Sequence, residues 1–173
     1  MDTLTADTAQ DEPIFAPEAF NLTPQQAELT ARARRFGKAV LAPRAPIWDR
    51  EARFPLDNFR DMHGEGLLGI CVPREDGGEG ADFTTYCLTA AELGRYCGAT
   101  ALSWNMHVCS TLWSGLLSED LEMSEADRTA HRARRSTHYR RIIETGAVYS
   151  QPFSEGGAAA AGAVAFGTEA QPV

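Results

Sequence analysis

Hydrophobic positions recur at helical spacing over most of this chain. Leu29, Ala33, Phe36 and Val40 fall on one face of a helix. Its start is written in Thr23-Pro24-Gln25-Gln26: a capping threonine, a proline suited to the first helical position, and a glutamine able to reach back. Pro43 and Pro46 interrupt the pattern and predict an end or a kink near Leu41. A second, short helix opens after Arg53-Phe54-Pro55. Leu56, Phe59 and Met62 share its face, and Gly64 and Gly66 stop it. Residues 67–72 form a short apolar run and read as an extended connector. Residues 73–80 hold three glycines and four charged residues and read as a loop. A third helix is predicted over about 83–96 and a fourth over about 100–117; the fourth is apolar on most faces and so central to its bundle. Ser124 with Asp127 marks another N-terminal cap, and Gly146 stops the basic helix that follows. Residues 147–151 could form a strand, but no second strand follows to complete a hairpin. Fraying is expected there.

Composition narrows the picture. A chain of 173 residues, 43% hydrophobic and 23% charged, is one domain, or one plus a further piece. Its net charge of −8 argues against a general nucleic-acid partner. No run approaches the roughly 20 apolar residues of a membrane span. Residues 1–12 are acidic and polar, unlike a secretory signal. Cys71, Cys87, Cys97 and Cys109 form no C-x-x-C pair and have no histidine at zinc-like spacing, so no metal site is expected. They read as buried, reduced thiols of a cytoplasmic protein.

Several short segments occur in one order: Leu41-Ala42-Pro43, Asp49 with Phe54-Pro55, Gly66-Leu67, the loop 72–82, Glu92-Leu93-Gly94-Arg95, Thr100-Ala101-Leu102 and Met106-His107. Together they resemble the N-terminal helical domain of the acyl-CoA dehydrogenase family of flavoenzymes, over residues 22–170. The resemblance implies an all-α helical bundle followed by the first strand or strands of an incomplete β domain. Its expected divisions are a flexible leader over 1–20, the helical domain over 21–146 and the start of a middle β domain over 147–173. The chain would then supply one domain of three, begin a second and stop.

The resemblance also implies a chemistry. The complete enzyme would use FAD to oxidise an acyl-CoA thioester to its α,β-enoyl form. It would pass electrons to an electron-transfer flavoprotein or similar acceptor, and would assemble as a homo-oligomer. Ser154-Glu155-Gly156-Gly157 matches the segment that lines the flavin ring. Ser154 would hydrogen-bond the ring near its reactive nitrogen, with Gln151 and Phe153 beside it. Fixed donors there would stabilise the charge of a reduced flavin. Taken alone the same four residues are an ordinary turn. Gly157-Ala158-Ala159-Ala160-Ala161 departs from the family's usual Gly-Ala-Gly-Ser-Asp and puts contact with the acyl-CoA in question.

On the fourth helix, Leu102, Ser103, Met106, His107 and Ser110 are the candidates for one wall of the acyl pocket. Plain core packing is the competing account. It is the stronger one for His107, because a lone histidine on an apolar helix is usually hydrogen-bonded packing. The family's base is a carboxylate of a C-terminal domain. Neither Glu92 nor Glu155 matches it, so no catalytic residue is assigned and the chain alone is expected to be inactive. Two other functions fit the same residues: a flavin-dependent monooxygenase or nitroalkane oxidase of the same fold, and a non-catalytic helical association module. The arginines of the last helix (Arg128, Arg132, Arg134, Arg135, Arg140 and Arg141) read as a solvated face balanced by Glu119 and its acidic neighbours.

Overall fold

The structure, a computed structural model, describes residues 12–150 together with Gly167, Glu169 and Gln171. Among these residues it is helical, with no strand. Helix α1 spans Pro24–Phe36 and opens with the expected capping box: Gln26 N–H donates to the Thr23 hydroxyl, and Thr23 N–H donates to the Gln26 side chain. The chain then widens into a π-helical turn at Gly37–Leu41 and continues as α2, Ala42–Glu51. The prolines therefore do not end the helix. The π turn restarts the hydrogen-bond ladder, so Pro43 sits in a first turn where its missing N–H costs little. Pro46 lies inside α2, which ends at Ala52 in a left-handed conformation (φ 48°).

Helix α3, Leu56–Gly64, buries Phe59 and Met62 as predicted, but Leu56 is half exposed. Residues 67–72 are not extended. They make a 3-10 turn at Leu67–Gly69, and Leu67, Leu68, Ile70 and Val72 are buried to within 1%. The run lacks a β partner that would use its backbone groups; the Leu67 and Leu68 carbonyls accept from Trp104 and His107, and those of Gly69, Ile70 and Val72 from the N–H groups of residues 79–81. A second 3-10 turn at Arg74–Asp76 leads into the glycine loop. Gly78 is held so close to the Val72 and Gly69 carbonyls that no Cβ fits.

Helix α4, Phe83–Gly94, is capped by Asp82. Helix α5, Gly98–Ser114, follows after a short turn, and the four-residue α6, Leu116–Glu119, after that. Helix α7, Glu125–Thr145, begins at Ser124 and stops at Gly146, whose φ of 68° suits glycine. Helix α1 packs on α4 and α4 on α5, while α7 closes over the two 3-10 turns. Leu29, Phe36, Leu93, Trp104, Val108, Leu112, Tyr139 and Ile142 meet in one core. Residues 12–20, part of the predicted leader, bond to this body: Ile14 N–H donates to Glu92 at 2.9 Å, and Arg95 donates to the Glu12 carbonyl at 2.6 Å. Residues 147–150 are neither helix nor strand. No helix among the described residues is long and apolar enough to cross a membrane.

Candidate functional site

Helix α5 has two unlike faces. Its inner face carries Trp104, His107, Val108, Thr111 and Leu112, all buried. The polar atoms there are partnered across the core. Trp104 Nε1–H donates to the Leu67 carbonyl at 2.9 Å, and His107 Nε2 bonds the Leu68 carbonyl at 3.0 Å. The buried 67–72 run is fastened to α5 by these two rings. Tyr86 of α4 stacks on Trp104 with ring centroids 5.8 Å apart.

Four of the five predicted pocket residues lie outside this core face. Leu102 is 64% exposed, and Ser103, Met106 and Ser110 are half-buried. Trp113 extends the same apolar flank at 48% exposure. Ser103 and Ser110 donate back to the Ala99 and Met106 carbonyls, a turn below each. Two hollows adjoin the helix. Ser103 lines a cleft of about 680 Å³ with Trp48, Arg53, Phe54, Arg95 and Tyr96. Ser110 lines a smaller one of about 280 Å³ with Thr111, Ser114, His138, Tyr139, Ile142 and Tyr149. The structure thus places Leu102, Met106 and Ser110 on one flank, sends Ser103 toward another hollow, and buries His107 behind them.

His107 is spoken for at both nitrogens. Its Nδ1 accepts the Tyr149 N–H at 3.0 Å, so Nε2 carries the proton given to Leu68. The ring is therefore the neutral form, and burial pushes its pKa below the ordinary imidazole value, with the Leu68 bond opposing in part. Gln151, Phe153 and Ser154 lie outside the described residues.

The arginines of α7 are less free than a solvated face implies. Arg128, Arg132 and Arg135 all reach Glu119, at 3.5, 2.7 and 2.8 Å. Hydrogen bonds from Arg132 and then Arg135 hold the Glu119 carboxyl down to about 2. His131 and Arg135 also bond the Ser114 carbonyl at the C-terminus of α5, where the helix dipole favours cations. Only the acidic run before the helix hinted at this in the sequence. The thiols differ as well: Cys71 and Cys97 are buried, Cys109 is intermediate, and Cys87 is exposed on α4. Burial pushes Cys71 up to about 12, so it is an inert core group.

Comparison with known proteins gives these elements a lineage. Residues 23–117 match the family described as acyl-CoA dehydrogenase, N-terminal domain. That stretch runs from the cap of α1 to α6. "Probable acyl-CoA dehydrogenase YngJ" of Bacillus subtilis is 39% identical over 85 residues, 49% of this chain and 22% of that protein. "Acyl-CoA dehydrogenase, short-chain specific" of Clostridium acetobutylicum is 33% identical over 100 residues, 58% of this chain and 26% of that protein. "Acryloyl-CoA reductase (NADH)" of Anaerotignum propionicum is 38% identical over 89 residues, 51% of this chain and 23% of that protein. The chain therefore matches only 22–26% of the length of these relatives. With its helical order, its capping box and its α4–α5 pair all inside the matched stretch, the chain belongs to the acyl-CoA dehydrogenase family.

Proposed function

We propose that this chain is the helical domain that forms one wall of the acyl pocket in an FAD-dependent acyl-CoA dehydrogenase, an enzyme of α,β-dehydrogenation. The observation that carries this reading is the outer flank of α5. Leu102 and Trp113, exposed, and Met106, half-buried, form an apolar strip on the side of α5 away from its core face. An acyl chain is the kind of ligand that such a strip takes, since burying it releases water from apolar surface. Ser103, His107 and Ser110 keep the proposed wall in shape, because their hydrogen bonds run within the protein.

The flavin supplies hydride acceptance when bound. The described residues do not cradle it: the hollow beside Tyr149 is about 280 Å³ and is lined by α5 and α7 side chains together with Tyr149. The residues proposed to touch the ring are Gln151, Phe153 and Ser154. The base is likewise proposed to come from elsewhere. The helical domain is assigned residues 21–146, and residues 147–173 the approach to the β domain.

A chimera tests this. Residues 23–145 of this chain replace the matched region of the Clostridium acetobutylicum relative. Retained oxidation of a short acyl-CoA is expected, with KM raised about tenfold or more by Met106→Asp. A folded, flavin-loaded chimera indifferent to Met106→Asp would overturn the pocket reading. The 173-residue chain mixed with FAD and an acyl-CoA is expected to hold little flavin and to turn over nothing. A stoichiometric yellow protein that bleaches with substrate would contradict that.

A second reading rests on the same exposed residues. Phe83, Leu102, Trp113 and Leu121 are 48–64% exposed and suit an interface with another subunit. Size-exclusion chromatography decides: a clean monomer at high concentration removes it.

A further inference from the structure

Histidines from three helices meet the chain where α7 ends, at Ile143, Gly146 and Tyr149. His63 of α3 bonds the Ile143 carbonyl at 2.8 Å and packs against Gly146, where any Cβ would strike the imidazole ring. His107 of α5 accepts the Tyr149 N–H at 3.0 Å and lies 6.4 Å from the Tyr149 ring, nearly parallel to it. His138 of α7 bonds the Tyr149 hydroxyl through Nδ1 at 2.9 Å, with the two rings edge to face. Tyr149 is thus gripped at backbone, ring face and hydroxyl, although residues 147–150 form no regular element. Such a grip is more than that segment needs for its own packing, since Val148 and Ser150 on either side are exposed.

We propose that His107 and His138 are positioning residues: they clamp Tyr149 and so fix the point from which the chain runs on to Gln151, Phe153 and Ser154. This rests on the reading of residues 151–154 as the flavin-lining segment. The physical argument is reach. Two residues of chain span at most about 7 Å, so a fixed Tyr149 confines the start of that segment. A loose Tyr149 would leave the entropy of ordering it to be met when the flavin binds. The clamp also links the acyl wall to the flavin segment, because His107 shares helix α5 with Leu102 and Met106.

Hydrogen exchange at the Tyr149 amide, read by NMR in the full 173-residue chain, tests the clamp. His107→Gln keeps an N–H for the Leu68 carbonyl and loses the Nδ1 acceptor. His107→Asn keeps an acceptor where Nδ1 stands. The expected result is Tyr149 exchange faster by roughly tenfold in His107→Gln, as for loss of one hydrogen bond. The amides of Trp104 and Ile142 stay unchanged, and His107→Asn restores most of the protection. Unchanged Tyr149 exchange, or equal acceleration at all three amides in both variants, overturns the proposal. Should His107→Gln not fold, His138→Phe on an exposed side chain decides instead. It keeps the ring and loses the hydroxyl bond, and several-fold faster Tyr149 exchange is expected, no change being the refuting result. A chimera extended to carry residues 23–154 of this chain that folds without flavin sinks the reading of residues 151–154 and leaves the exchange result standing, so the two failures are told apart.

Discussion

Helices α5 and α7 are both long, yet different forces keep them in place. Helix α5 is held by burial: seven of its residues are in the core, and its rings Trp104 and His107 anchor a neighbouring segment. Helix α7, 21 residues long, buries only Tyr139 and Ile142. It depends on its ends and its charges. Ser124 caps one terminus, Gly146 closes the other, and Glu119 gathers three arginines from its side. Burial is strong and insensitive to salt, whereas caps and surface ion pairs are worth about 1 kcal/mol or less each. The family match, which ends at residue 117, covers α5 and stops before α7. The two helices also meet: His131 and Arg135 of α7 cap the C-terminus of α5, and Tyr139 donates to the Thr111 carbonyl at 3.1 Å.

That contrast can be broken experimentally, starting with the largest effect. Trp104→Ala empties the centre of the α5 core and removes the bond to Leu67. A loss of about 3–5 kcal/mol is expected, measured by denaturant titration. A loss below about 1 kcal/mol would mean that burial is not what holds α5 in place. Ser124→Ala should cost about 1 kcal/mol, with hydrogen exchange accelerating in the first turn of α7 and not in α5. Equal acceleration in both helices would erase the distinction between them.

Acid gives a graded effect. His107 is neutral in the fold and its pKa lies below the ordinary 6.5 because of burial. Its contribution is complete above about 6.5 and is lost as pH falls from there toward the lowered value, since the unfolded chain takes up the proton first. Thermal melts from pH 8 to 5 should show a falling Tm that flattens in His107→Asn; an unchanged slope would remove His107 as its source. Glu119→Gln comes last. The wild-type carboxyl, held at about 2, is ionised throughout that range, so its contribution is full above about pH 4.5 and is lost as pH falls from there toward 2. The variant's melts should run parallel to wild type between pH 8 and 5, lower by under about 1 kcal/mol and converging in high salt.

Much of this was legible in the residues themselves. The caps Thr23-Gln26 and Ser124-Asp127 and the stop at Gly146 appear in the structure where the sequence places them, because each is a local hydrogen-bond pattern. The loop 73–80 was legible for the same reason: Gly77 and Gly80 adopt positive φ, of 90° and 61°. The passage of the helix through Pro43 and Pro46 was not legible. A π turn solved it, and the stop fell at Ala52, a residue with no turn signature. Residues 67–72 were misread as extended because a short apolar run looks alike as strand or as buried turn. Nor could the sequence show that Leu102, Met106 and Ser110 share an open flank while His107, one position beyond Met106, points into the core.

The sequence by itself determined the helical character, the start of α1, both ends of α7 and the family, since those rest on spacing within a few residues or on order along the chain. Tertiary structure alone decided which side of α5 stays open, that Glu119 serves three arginines, and that His107 and His138 converge on Tyr149. Those outcomes depend on residues 9 to 42 positions apart in the chain being brought within hydrogen-bond distance, and only the packed core selects such pairs.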